Sequence, residues 1–272
     1  MTQMPQIFDR SAILRHRKRA RRDDLFLQQL AVDEVKDRLS MVNRRFTSTA
    51  VVTGCEDIWR IAFPDARLLS DTETLDLAPQ SHDLVIHAMC LHWSGDPVGQ
   101  IIQCRRALRQ DGLFLGVLLG GRSLQELRVA LAEAESVVTG GLSPRVAPMG
   151  EVRELGALLQ RSGLALPVAD TVTTTAHYRS MMHLMHDLRG MGETNALSGR
   201  LRHPTRRAVF EKAEDIYRET FGHPDGVLPA SFEMICLTGW APAESQPKPL
   251  RPGSAQARLA DALKTTETKL PD

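Results

Sequence analysis

The chain has 272 residues, of which 42% are hydrophobic and 25% charged, with a formal net charge of +1. A chain of this length can bury one large core, and so small a net charge excludes a global field for nucleic acid. No apolar run approaches the roughly 20 residues of a membrane-spanning helix, and the amino end has no apolar signal core. Cys55, Cys90, Cys104 and Cys236 are scattered without a C-x-x-C pair. Together these features read as a cytoplasmic protein with buried free thiols in a reducing compartment. The run Arg15, Arg17, Lys18, Arg19, Arg21 and Arg22 is either a patch for an anionic partner or a solvated helix face.

In chain order, Leu25 to Val42 has the apolar spacing of an amphipathic helix. Ala50–Gly54 is the first buried strand. Cys55 to Phe63 fits two helical turns closed by Pro64, and Ala66–Ser70 is a further strand. Only the positions from Asp71 to His82 separate it from the central strand within Ser81–Trp93. A crossover with its helix needs at least about 10–12 residues, so one strand-and-helix unit is missing here. Leu84, Val85 and Ile86 form the apolar centre of that strand. A helix over Pro97–Leu108, a turn at Asp111-Gly112 and a strand over Leu113–Gly120 complete a parallel crossover. Ligands of such sheets sit beyond the carboxyl ends of the strands, which places His87–Trp93 and Gly120-Gly121 at a cleft. A bulky residue at Gly120 is therefore expected to disturb binding more than folding.

Ser123 and Glu126 have the spacing of a capping box for a helix running to about Val138. Gly150 to Arg161 is helical and stopped by Gly163. Leu164 to Tyr178 is strand-like and rich in threonine. Ser180–Met191 and Thr205–Phe221 are helices. A turn at His223–Gly226 leads to the last strand, Ser231–Trp240, expected to close the sheet antiparallel. The resulting organisation is a basic and helical segment at 1–45, a main domain at 46–242 with a helical insertion at 179–228, and a partly ordered proline-rich tail at 243–272.

DLVIHAMCLHW and RALRQDGLFLGVLLGG resemble the central part of class I S-adenosylmethionine-dependent methyltransferases. GGRSLQELRVALAEAE, GGLSPRVAPMGEVRELGALLQRSG, HDLRGMGETNA and DGVLPASFEMICLTGW are similar to the methyltransferase-like assembly factors of respiratory complex I. They are more distantly similar to the biotin-pathway methyltransferase. IFDR at Ile7–Arg10 fits the same amino end. The resemblance implies an α/β, doubly wound Rossmann-like sheet with an antiparallel final strand, here with a shortened amino half. It also implies S-adenosylmethionine over that half, bound through Gly54, Cys55, Asp71, Thr72, Ala88, Met89 and His92. Asp71 stands either as the acid that holds the ribose after the second strand or as the acid that faces the adenine after the third. The short spacing favours deletion of the second strand and its helix.

The family's loop carries an acid followed by alternating glycines, because glycine lets backbone approach a ligand. Here Gly54 keeps the first glycine, Val52 stands at the acid, and Glu56 and Ile58 replace later glycines. Glu56 is expected to set a negative charge near the cofactor's carboxylate. Trp93 reads as packing. His82, His87 and His92, five apart, share no face for a metal. His183 and His186 read as core or lid packing. Met191–Asn195 matches a segment beside the substrate cleft, where Glu193 and Asn195 have either a polar loop role or a helix-ending one. The resemblance implies a methyltransferase-family protein with a degenerate cofactor loop, linked to complex I assembly. The alternative is an inactive relative that binds a complex I subunit or a sister methyltransferase. No catalytic residue is named. Arginine hydroxylation is also ascribed to the family, and the sequence offers no metal-ligand pattern for activating oxygen.

Overall fold

The structure is a computed structural model and describes residues 6–247, 260–261 and 264–266. The chain divides into two compact units, Met1–Pro242 and Ala243–Asp272. Most of the proline-rich tail lies outside the described residues.

The first unit opens with α1 (Arg10–Lys18), whose N-cap Asp9 accepts from the Ala12 N–H. Helix α2 (Phe26–Met41) follows, then β1 (Thr49–Thr53), α3 (Glu56–Ala62) and β2 (Arg67–Leu69). The central strand β3 (His82–Ala88) is buried at every position. Helix α4 (Pro97–Ala107) returns the chain to β4 (Leu108–Leu119). Helices α5 (Gln125–Thr139) and α6 (Val152–Arg161) precede β5 (Ala165–Tyr178). Helices α7 (Met181–Met191) and α8 (Arg207–Phe221) follow, and β6 (Leu228–Trp240) ends the unit.

The six strands form one sheet in the order β2-β1-β3-β4-β6-β5. The first four are mutually parallel, and β6 runs antiparallel to both its neighbours. The final strand is thus antiparallel as expected, but it lies inside the sheet. The edge is β5, whose threonines at 171 and 173–175 are all outside the core, as suits an edge strand. Side chains alternate between two cores across the sheet. Leu84 and Ile86 pack with α2, α3, α5 and α8 on one face, while Val85 and Phe114 pack with α4 and α6 on the other. Burial on both faces explains the continuous apolar runs of β3 and β4.

Three local readings are overturned. Strand β2 pairs directly with β1, so it holds the position of the second strand, and the unit missing on this flank among the described residues is the outer one. Residues 70–81 return to β3 without a helix, held by Gln100 and Gln103 of α4 through backbone groups of Thr72, Glu73 and Leu75. Asp111-Gly112 is no turn. Strand β4 runs through it, with Asp111 at a φ of 59°. Ser123 and Glu126 cap nothing, because β6 claims both. Ser123 exchanges hydrogen bonds with the Glu233 backbone, and Glu126 accepts from the Ser231 N–H and hydroxyl.

Gly120 also changes role. A Cβ there would lie 2.5 Å from Ile235 Cδ1 and 2.6 Å from Glu233 Oε2, both on β6 and buried. It is a packing glycine between β4 and β6, so a larger residue disturbs folding first. Gly120→Leu is expected to destabilise by about 2 kcal/mol through overpacking, read as a lower midpoint in urea. A wild-type midpoint would show that β6 yields freely.

Candidate functional site

The carboxyl ends of β1, β2 and β3 converge on one side of the sheet. Gly54 and Cys55 follow β1, Asp71 follows β2, and Met89 and Cys90 follow β3. Met89 is buried in the left-handed region, with a φ of 52°. Its N–H donates to the Val117 carbonyl, which holds the chain as it leaves the sheet.

Arg17 of α1 lies across this convergence, its side chain only 12% exposed. Its Nη1 donates to Asp71 Oδ1 at 2.7 Å, and its Nη2 lies 3.6 Å from Cys90 Sγ. Arg10 adds a two-pronged bond to Asp71 at 2.9 and 2.7 Å. Asp71 is therefore a nearly buried carboxylate shared by two guanidinium groups. Burial acts to raise its pKa, but the Arg10 hydrogen bonds and the Arg17 charge and hydrogen bond draw it down to about 2. A Cβ added at Gly54 would meet Arg17 Cζ and Nε at 2.5 Å. The space that glycine leaves open over the loop is held by this chain's own arginine.

The end of α7 and the segment after it position α1. Gly190 O accepts from the Arg21 N–H, and Thr194 O lies 3.1 Å from His16 Nδ1. Ala196 O accepts from the Asp9 N–H, and Arg200 pairs with Asp9 at 2.7 Å. HDLRGMGETNA thus straps the amino-terminal helix over the cradle.

A second polar group stands beside the cradle. Trp93 Nε1 donates to Glu193 Oε2 at 2.8 Å, and His92 Nε2 lies 3.5 Å from the same oxygen. His92 Nδ1 accepts from the Leu119 N–H at 3.4 Å, which leaves the ring proton on Nε2, facing the carboxylate. Burial acts to raise the Glu193 pKa, but the His92 hydrogen bond and the Arg17 charge outweigh it and hold the carboxyl below its usual range. Trp93 packs edge-on against Phe8 at 5.3 Å. Beyond it lies a cavity of about 190 Å³ among Trp93, α5, α7 and α8.

The expected cofactor residues divide. Gly54, Cys55, Asp71, Ala88 and Met89 reach one end of the sheet, and Asp71 follows the second strand position, where the resemblance puts the ribose acid. Burial pushes the Cys55 thiol up to about 11. Thr72 is exposed, and its hydroxyl donates to the Thr74 carbonyl within its own loop, so the structure turns it away from the site. His92 points at Glu193 instead of at the Arg17 cluster. Glu56 is likewise corrected. As the first residue of α3 it is exposed and pairs with Arg60 at 3.2 Å, so its charge does not enter the cradle. Val52 and Ile58 are buried in opposite cores. The three histidines have separate partners: Ser48 for His82, Gln100 for His87 and Glu193 for His92. The sequence reading missed the roles of Arg10 and Arg17. The basic run was visible, but nothing in it separates a buried arginine from its solvated neighbours.

Residues 25–116 match the methyltransferase domain family. The chain carries a methyltransferase-family domain. It is 36% identical over 201 residues to zebrafish (Danio rerio) arginine-hydroxylase NDUFAF5, mitochondrial, a match that covers 74% of this chain and 62% of that protein. It is 35% identical over 179 residues to malonyl-acyl-carrier-protein O-methyltransferase of Xylella fastidiosa, covering 66% of this chain and 58% of that one. The chain thus spans about six tenths of the length of these curated relatives. Among solved structures, the YcgJ protein of Bacillus subtilis aligns with a TM-score of 0.46 at 14% identity, over 79% of this chain and 99% of that one. Arg17 fills the space over Gly54, and Asp71 is already neutralised.

Proposed function

We propose that this protein is a methyltransferase-family assembly factor linked to respiratory complex I, and that it acts by holding a protein partner and not by methyl transfer. The observation that carries this reading is Arg17, whose guanidinium fills the space over Gly54 and binds Asp71. Methyl transfer to a held acceptor needs a bound sulfonium in line with it, and catalysis would otherwise come from proximity. With the cradle self-filled, what the domain retains is the strapped helix, the insertion and the cavity beneath them. The link to complex I rests on the likeness to NDUFAF5 and the motifs that carry it. The partner in this reading is a complex I subunit or a sister methyltransferase. The four free thiols suit a reducing compartment, cytoplasmic in this reading. No described helix is long and apolar enough to cross a membrane.

Titration calorimetry with S-adenosylmethionine tests the reading. The wild type is expected to bind more weakly than about 1 mM, and Arg17→Ala to bind at least about tenfold more tightly, the equivalent of about 1.4 kcal/mol. Micromolar binding by the wild type that is lost in Arg17→Ala would make Arg17 a cofactor ligand and overturn the proposal. Affinity purification from the protein's own host provides the partner arm. Complex I subunits or a second methyltransferase should be recovered equally with wild type and Arg17→Ala.

A further inference from the structure

The cavity of about 190 Å³ beside the cradle is apolar at both its depth and its entrance. Leu119 ends β4, and Leu127 and Leu131 lie one helical turn apart on α5, so they share a face. All three are buried and form the floor. Val146, Met185 of α7 and Phe210 of α8 also line the cavity, and each is partly exposed, so the cavity meets solvent on their side. Four polar residues complete the lining, and their charges are met within the chain. Arg145 grips both Glu135 oxygens at 2.9 and 2.7 Å and donates to Thr205. Glu193 is met by the Trp93 N–H, by His92 and by the Arg17 charge. Asn195 donates to the Pro144 carbonyl and accepts from the Leu197 N–H. The Thr194 hydroxyl oxygen is closed to water.

The chemistry of a ligand follows from these facts. A charged group entering the cavity would give up its hydration and find no unmet counter-charge among the described residues. Water is a poor occupant for a similar reason, since a buried water needs two to four polar partners. An apolar group loses no hydration worth keeping and gains in proportion to the area it buries. Size sets the second limit. An apolar cavity of about 150 Å³ takes a benzene molecule. A volume of about 190 Å³ therefore admits a ring with one further carbon, or an alkyl chain of similar bulk. Met185 at the entrance is unbranched and flexible, so the wall can follow either shape.

We infer that this cavity is a binding site for an uncharged apolar group the size of a benzene or toluene ring, held by burial against Leu119, Leu127 and Leu131. The inference rests on the cavity walls alone and does not depend on whether the cradle admits a cofactor. The same chemistry is available from a free apolar molecule or from an aromatic side chain of a protein partner.

The test uses the full chain in calorimetry, with toluene, N-acetyl-phenylalanine amide, benzylammonium and benzoate as probes. Toluene or the phenylalanine amide is expected to bind, whichever is tighter naming the source. The two charged probes carry the same ring and are expected to bind at least about tenfold more weakly than the better neutral one. Leu131→Trp fills the floor and should weaken the neutral probe at least about tenfold. Met185→Glu sets a charge at the partly exposed entrance, should cost severalfold, and serves if Leu131→Trp does not fold. Either charged probe binding within about tenfold of the better neutral one, or full neutral-probe affinity in the folded variants, would overturn the assignment. So would no binding of either neutral probe.

Discussion

Replacing Arg10 and Arg17 together by alanine is expected to lower the stability of the first unit by about 3 kcal/mol, because it strands a nearly buried carboxylate. Asp71 is 7% exposed, and its side chain has no other ion-pair partner among the described residues. For a domain of this size the loss corresponds to a melting temperature lower by about 8 °C. Adding Asp71→Ala to the double variant should restore part of that loss, since removing all three groups leaves no lone charge behind. The pH dependence carries its own sign. The folded pKa of Asp71, about 2, lies below the ordinary aspartate value. The stabilisation is therefore complete above about pH 4, amounts to about 2 kcal/mol, and is lost as the pH falls toward 2. Urea titrations of wild type and double variant should differ most near neutrality and converge on acidification. A constant gap from pH 7 to pH 3 would show that the arginines act by packing alone. Burial holds His87 neutral with a pKa of about 4. It erodes stability as the pH falls from about 6.5 to 4, and because the Arg17 charge also acts on His87 and on Glu193, the gap between the two proteins carries their response beside that of Asp71.

Trp59→Ala should have an effect at least as large, about 4 kcal/mol. Trp59 is fully buried in the core between α3 and α2. Its Nε1 donates to Gln28 Oε1 at 3.0 Å, and its ring stacks on Phe63 at 5.9 Å. Alanine removes the ring, leaves a cavity and orphans the buried Gln28 amide. Since α3 begins directly after Gly54 and Cys55, the loop under Arg17 depends on that anchor. Trp59→Phe keeps the six-membered ring and loses the donor with the rest of the indole, so it should cost about 1–2 kcal/mol. Equilibrium urea unfolding separates the two contributions. Equal losses in both variants would assign the effect to the parts phenylalanine lacks, the Gln28 hydrogen bond and the five-membered ring, and an alanine variant losing under about 1 kcal/mol would mean that α3 is not held by this residue.

The β3-α4-β4 crossover was legible in the sequence because a strand buried on both faces must be apolar at successive positions. Leu84, Val85 and Ile86 meet that demand whatever else surrounds them. Helices α7 and α8 and the His223–Gly226 turn were legible for the same local reason, in helical periodicity and in a glycine at a φ of 80°. Gly54 and Asp71 could be placed at strand ends from spacing. Groups whose partners lie far along the chain were not legible. Ser123 and Glu126 have the spacing of a cap, but β6, about 105–110 positions later, takes their hydrogen bonds. Glu56 was read from its place in a motif, yet helix geometry turns it outward to Arg60. Arg17 looks like any member of a basic run, and Glu193 like any polar residue after a helix. Only the strap formed by the end of α7 and the residues after it buries Arg17 over Gly54 and sets Glu193 against Trp93 and His92. Periodicity reports how each residue meets its own element, whereas the charge state of this site depends on desolvation and on partners that only the folded chain brings within bonding distance.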